Sequence, residues 1–135
     1  MLMKNNNTNQ VKNFFDGYAD SFDKIYDDDY SNKGIVKFLI DKYLRKSIYT
    51  RFDYTIKSLD YDKFKNILDI GCGSGRYCHY LANKNKYVDG IDISNSMIDL
   101  AQRISDDKKI SNFTNFSISS VQDFIITKQY DAAIF

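Results

Sequence analysis

No proline interrupts the chain, and glycine appears only six times in 135 residues. Any clustering of so scarce a residue needs a local reason, because each glycine costs conformational entropy on folding. Cysteine is scarcer still. Cys72 and Cys78, with the single histidine His79, cannot close a four-ligand zinc site, so no metal is expected. Residues 1–10 are polar and asparagine-rich and lack the apolar stretch of a secretory signal. The two thiols are therefore expected to stay reduced in a cytoplasmic protein. No apolar run approaches the roughly 18 to 20 residues that cross a bilayer, so no membrane span is expected. Neither charge dominates: 19 lysines and arginines face 18 acidic residues, for a net charge of +1. That balance gives no electrostatic ground for nucleic acid or for a polybasic membrane contact.

What remains is the composition of an ordinary globular domain, 43% hydrophobic and 27% charged. Its organisation changes partway along. Residues 1–10 read as a disordered tail and 11–65 as a helical cap. In the cap, Phe14, Tyr18, Phe22 and Tyr26 recur every four residues, one face of a helix. Asp16, Asp20 and Asp23 lie off that stripe. After a polar break, helices are predicted over 35–47, with Ile35, Phe38 and Leu39 inward, and over 48–59, with Phe52 and Ile56 inward.

From Asn66 onward the period shortens. Strands are predicted at 67–70, 87–92, 113–118 and from Tyr130. Helices are predicted at 76–83 and, behind Ser94 as N-cap, from Asn95 to Ile104 with Met97, Ile98, Ala101 and Ile104 inward. A short helix or turn is predicted at 121–126. Strands alternating with helices of about ten residues imply an α/β domain with a parallel sheet.

Three of the six glycines, Gly71, Gly73 and Gly75, fall between the first strand and its helix. Glycine there permits positive backbone angles and lets a ligand touch the main chain. The helix start is expected to aim N–H groups and its positive dipole end into the turn. The spacing is G-x-G-x-G. The third glycine of a dinucleotide fingerprint would fall at Arg76. Asp69, two residues before Gly71, would oppose a pyrophosphate and suits a cationic ligand.

Leu68-Asp69-Ile70-Gly71-Cys72-Gly73-Ser74-Gly75 resembles motif I of class I S-adenosylmethionine-dependent methyltransferases. The resemblance implies a Rossmann-like sheet in the order 3-2-1-4 and S-adenosylmethionine as cofactor. It implies that Asp69, Gly71, Cys72, Gly73 and Gly75 hold the methionine part. Asp92, at the end of the second strand, matches the family's ribose-binding acid. Ile93 and Met97 would wall the adenine, and the backbone of Val121 and Gln122 would contact it. Ser120 aligns with the family's usual adenine-binding aspartate, which costs the amino group a charged partner. Residues 14–26 resemble the opening helix of small-molecule methyltransferases, a lid in which Tyr18 and Tyr26 are the hydroxyl-bearing candidates. Methyl transfer by in-line displacement chiefly needs alignment, so no catalytic residue is assigned.

Blander assignments stand beside these. Arg76 reads as a surface or supporting arginine, with a contact to the cofactor carboxylate as its alternative. His79 reads as a helix residue on the polar or boundary side, and Arg51-Phe52 as packing or a salt bridge. A full fold of this class has seven strands and this chain offers about four. Truncation is therefore expected, with self- or partner association through the apolar edge of the fourth strand. The expected partner is a small-molecule acceptor. The alternatives are a non-catalytic cofactor-binding module, a nicotinamide oxidoreductase and an aminopropyl transferase.

Overall fold

The structure, a computed structural model, describes residues 9–14, 16, 35–58 and 63–135; for 35–45 and 48 it describes the backbone alone. Residues 9–14 and 16 are helical, so helix begins inside the stretch expected as tail. Then come α1 (Ile35–Ser58), β1 (Asn66–Ile70), α2 (Arg76–Ala82), β2 (Tyr87–Asp92), α3 (Asn95–Asp107), a 3-10 turn (Ser111–Phe113), β3 (Thr114–Ile118) and β4 (Ala132–Ile134).

The four strands form one parallel sheet in the order β3-β2-β1-β4, as the sequence predicts. β1 is paired on both edges and buried on both faces, with Ile67, Leu68 and Asp69 all buried. β2 matches its predicted limits, with Val88 and Ile91 each 1% exposed. The main core joins Ile67, Val88, Cys78, Leu81, Ile98 and Ile134 to Ile56 of α1, with Phe52, Phe64, Tyr77 and Phe116 packed around it. Burying each of the larger side chains stabilises the fold by about 1.5–3 kcal/mol.

Two local expectations need correction. The two helices predicted over 35–47 and 48–59 are one helix, α1. Nothing at Ser47-Ile48 breaks it, since neither glycine nor proline is there. Phe113 closes the 3-10 turn instead of opening the strand. Of the helix or turn expected over 121–126, the structure has the turn, over 121–123, followed by irregular chain. The predicted caps fare better. The Ser94 side chain accepts the Met97 N–H at 3.3 Å, and α3 runs on to Asp107. Its face is buried at Met97, Ile98 and Ala101 and half-buried at Ile104.

Of the aromatic stripe, Phe14 is 60% exposed, which does not fit a core position. Tyr18, Phe22 and Tyr26 lie outside the described residues. So do the side chains of Ile35, Phe38 and Leu39. Among the described residues no helix is long and apolar enough to cross a membrane.

The strand order reverses beside β1: β2 and β4 flank it, and their connections leave in opposite directions. Such a switch point opens a crevice at the carboxyl ends of the strands, where the glycine turn lies.

Candidate functional site

A cleft of about 640 Å³ opens over those strand ends. Its floor is Asp69 to Ser74, one wall is Ile91 to Ile93 with Met97, and a second wall is Ser119 to Gln122. Arg51, Phe52, Thr55, Arg76 and Tyr77 close one end, and Val11 reaches in from the N-terminal helical segment. Nine of the ten residues proposed from sequence to touch a cofactor thus share one cavity: Asp69, Gly71, Cys72, Gly73, Asp92, Ile93, Met97, Val121 and Gln122.

The tenth, Gly75, does not line it. Gly75 caps α2 at φ 80°. A Cβ there would meet His79 Cε1 at 2.9 Å, Phe116 Cζ at 3.0 Å and Ala101 Cβ at 3.1 Å. It is glycine because helix and sheet close tightly over it. Gly71 and Gly73 differ: both have positive φ (74° and 53°), and a Cβ on either would meet nothing within 4 Å. Among the described residues, then, no side chain fills the cradle.

Four backbone donors of the turn, those of Gly71, Cys72, Gly73 and Gly75, have partners within the protein. Gly71 and Cys72 donate to the Ile91 carbonyl at 2.8 and 3.0 Å, and Gly75 donates to the Cys72 carbonyl at 2.9 Å. Gly73 donates to Asp92 Oδ2 at 2.9 Å. A pyrophosphate would find these four N–H groups occupied and two carboxylates nearby. A ligand with ammonium, sulfonium and hydroxyl donors meets acceptors instead.

Asp92 sits at the end of β2 and ties the two loops together. Besides Gly73, it accepts the Ser94 N–H at Oδ1, at 2.9 Å. A carboxylate offers about four lone-pair sites, so roughly two remain for a diol. Asp69 lies deeper, 2% exposed, and accepts the Cys78 thiol at 3.3 Å. Burial pushes its carboxyl up to about 6; the Cys78 hydrogen bond opposes this and the Asp92 charge adds to it. Cys72 and Cys78 are both free and buried, and burial raises the Cys78 thiol.

The sequence reading missed several contributors. Cys78 was treated only as a thiol, yet it is the partner of Asp69. Asp16, off the predicted stripe, hydrogen-bonds Ser94 and Ser96 at the start of α3. The assignment of His79 to the polar side of its helix is wrong. It is 4% exposed, and Nε2 donates to the Ala101 carbonyl at 2.9 Å, tying α2 to α3. Arg76 lies 4.8 and 4.5 Å from the ring centres of Tyr49 and Phe52, over their faces, and Phe52 stacks on Tyr77 at 4.8 Å. Ser120 donates its hydroxyl to Asp123 Oδ2 at 2.6 Å, so Asp123 is engaged outside the cleft while Ser120 lines it. Among the described residues no cluster of His, Cys, Asp and Glu could hold a metal.

The donor set fits S-adenosylmethionine: an open glycine cradle, an acid with acceptor capacity at a strand end, and apolar walls at Ile93 and Met97.

Known proteins resemble the chain over the same region. The family profile described as "Methyltransferase domain" matches residues 61–135. The ubiquinone biosynthesis O-methyltransferase of Coxiella burnetii is 33% identical over 66 residues, which is 49% of this chain and 26% of that protein. The malonyl-[acyl-carrier protein] O-methyltransferase 2 of Ilyobacter polytropus is 32% identical over 74 residues, 53% of this chain and 27% of that one. The chain thus spans about a quarter of the length of these curated relatives. The magnesium protoporphyrin IX methyltransferase of Synechocystis PCC 6803, solved with SAH bound, superposes with a TM-score of 0.67 at 21% identity, covering 93% of this chain and 56% of that one.

Proposed function

Since the chain belongs to the methyltransferase-domain family, we propose that it holds S-adenosylmethionine for methyl transfer to a small-molecule acceptor. The observation that carries this reading is the open cradle at Gly71 and Gly73 between two strand-end carboxylates, with the turn's own N–H groups satisfied internally. Asp92 takes the ribose hydroxyls with its remaining lone pairs. Ile93 and Met97 flank the adenine. Asp69 sets a negative potential beneath the cationic end. Val121, Gln122 and the Ser120 oxygen face the base.

Bound there, S-adenosylmethionine supplies an electrophilic methyl group on a sulfonium. The residues of this chain contribute alignment and exclusion of water, and such positioning accounts for roughly 7–11 kcal/mol of barrier lowering. The related O-methyltransferases point to an oxygen acceptor. The two free thiols suit a reducing, cytoplasmic setting. Among the described residues β4 pairs with β1 alone. A further strand could join its outer edge, from this protein or another chain, and a non-catalytic module is the alternative reading.

Calorimetric titration with S-adenosylhomocysteine tests the proposal. Binding is expected, and Asp92→Ala should weaken it by about 2–4 kcal/mol through two lost charge-assisted hydrogen bonds. An unchanged affinity removes Asp92 from the site. Tight binding without turnover of any acceptor favours the non-catalytic module.

A further inference from the structure

One carboxylate beside the cleft has no part in holding the cofactor as proposed. Asp16 ends the described part of the N-terminal helical segment, and its side-chain hydrogen bonds among the described residues converge on the first turn of α3, with Lys12 of its own segment adding a favourable charge. Its Oδ1 accepts the Ser94 hydroxyl at 2.5 Å, the Ser96 hydroxyl at 3.0 Å and the Ser96 N–H at 3.3 Å. Its backbone carbonyl accepts the Ser96 hydroxyl at 3.2 Å. These partners lie 78 and 80 residues away in the chain. The Ser94 hydrogen bond is the main reason that the Asp16 carboxyl sits below its usual range. A carboxylate there also meets the positive end of the α3 dipole.

Ser94 is shared. Its hydroxyl goes to Asp16, its oxygen caps Met97, and its backbone N–H goes to Asp92. Five residues before Asp16, Val11 lines the cleft. The segment that Asp16 fastens therefore contributes Val11 to the cavity lining, and its fastening point at Ser94 neighbours the proposed ribose acid.

We infer that Asp16 is a positioning residue: a latch that holds the N-terminal helical segment against the cofactor cleft and slows cofactor release. The latch itself is a property of the ligand-free chain. Its link to the cofactor rests on the function proposed above.

The test uses the full chain and S-adenosylhomocysteine. Amide exchange of residues 9–14 in the ligand-free protein should speed up in Asp16→Ala. The dissociation rate of S-adenosylhomocysteine should rise about tenfold, with association little changed, for the loss of charge-assisted hydrogen bonds. Asp16→Asn keeps an oxygen at the Oδ1 position without the charge and should fall between wild type and alanine. Ser96→Ala, which removes a hydroxyl but leaves the Ser94 cap intact, should also be intermediate. Wild-type exchange in Asp16→Ala overturns the latch whether or not ligand binds. Faster exchange with an unchanged dissociation rate overturns its link to the cofactor. Failure of the wild-type chain to bind S-adenosylhomocysteine overturns the cofactor reading and that link with it, while the exchange result still decides the latch.

Discussion

Asp69 works against the fold that carries it. In the unfolded chain its carboxyl titrates near 3.8, and in the fold at about 6. Below the lower value both states are protonated and ionisation costs nothing. Between the two values the native state keeps a proton that the unfolded chain has released, so stability falls as pH rises. Above about 6 the whole penalty is in force, on the order of 3 kcal/mol. Asp69→Asn should therefore be the more stable protein at pH 7.5, with its advantage in urea midpoint shrinking toward pH 4. An advantage independent of pH would show that Asp69 is not the titrating group. A cationic ligand prefers the ionised acid, so its affinity should rise with pH through about 6 in wild type and lose that rise in Asp69→Asn. Asp69, Asp92, Gly71 and Gly73 are legible in sequence because they sit at two strand ends and one turn, whereas Gly75, read as part of the same turn, packs under α2 instead. Asp16 and His79 are not, because each is defined by a partner far along the chain, Ser94 and Ala101 respectively. Hydrophobic spacing places a helix face, but it does not say which distant backbone will meet it.

Elements are positioned by contacts with little room to give. Gly75 stands where α2, α3 and β3 converge, and its φ of 80° disfavours any side chain. Gly75→Ala should cost about 1–3 kcal/mol through overpacking and backbone strain, read as a lower urea midpoint. A neutral effect would mean that His79 and Phe116 shift aside freely. The segment between β3 and β4 is held differently. Buried Asp89 accepts the Tyr130 hydroxyl at 2.5 Å and pairs with Lys128 at 3.0 Å. Burial, then Asp89, raises the Tyr130 phenol. Tyr130→Phe strips a buried acid of its shorter hydrogen bond and should cost about 1–3 kcal/mol. Lys128→Met should cost less than about 1 kcal/mol, because the lysine side chain is 42% exposed and screened by water. The reverse order in chemical denaturation would make the ion pair the anchor. The alternation of strands with helices and the limits of β2 could be read from the sequence, and the sheet order followed from the family resemblance. The continuity of α1 could not, because its apolar residues do not keep one stripe across the predicted break.

At the scale of the molecule, the cleft is where pieces distant in sequence meet: the glycine turn, the β2–α3 junction, the segment after β3, α1 and the N-terminal segment. Any ligand held by all of them stabilises the whole fold, and the choice of ligand follows from donor accounting across these pieces. The N–H groups of Gly71, Cys72, Gly73 and Gly75 are committed to Ile91, Asp92 and Cys72. A dinucleotide's pyrophosphate would have to displace those bonds and approach Asp69 and Asp92. S-adenosylhomocysteine, bound as proposed, needs none of them displaced and would use the acceptors left on Asp92. At a concentration of 100 times its Kd, a ligand specific to the native state adds about 2.7 kcal/mol. For a chain of this size that corresponds to a rise in Tm on the order of 10 °C. Thermal melts should show this rise with S-adenosylhomocysteine, none with NADH, and a much smaller one for Asp92→Ala at the same ligand concentration. An equal rise with NADH would mean that the turn releases its internal hydrogen bonds for phosphate, and a dinucleotide would then take the place of the cationic nucleoside.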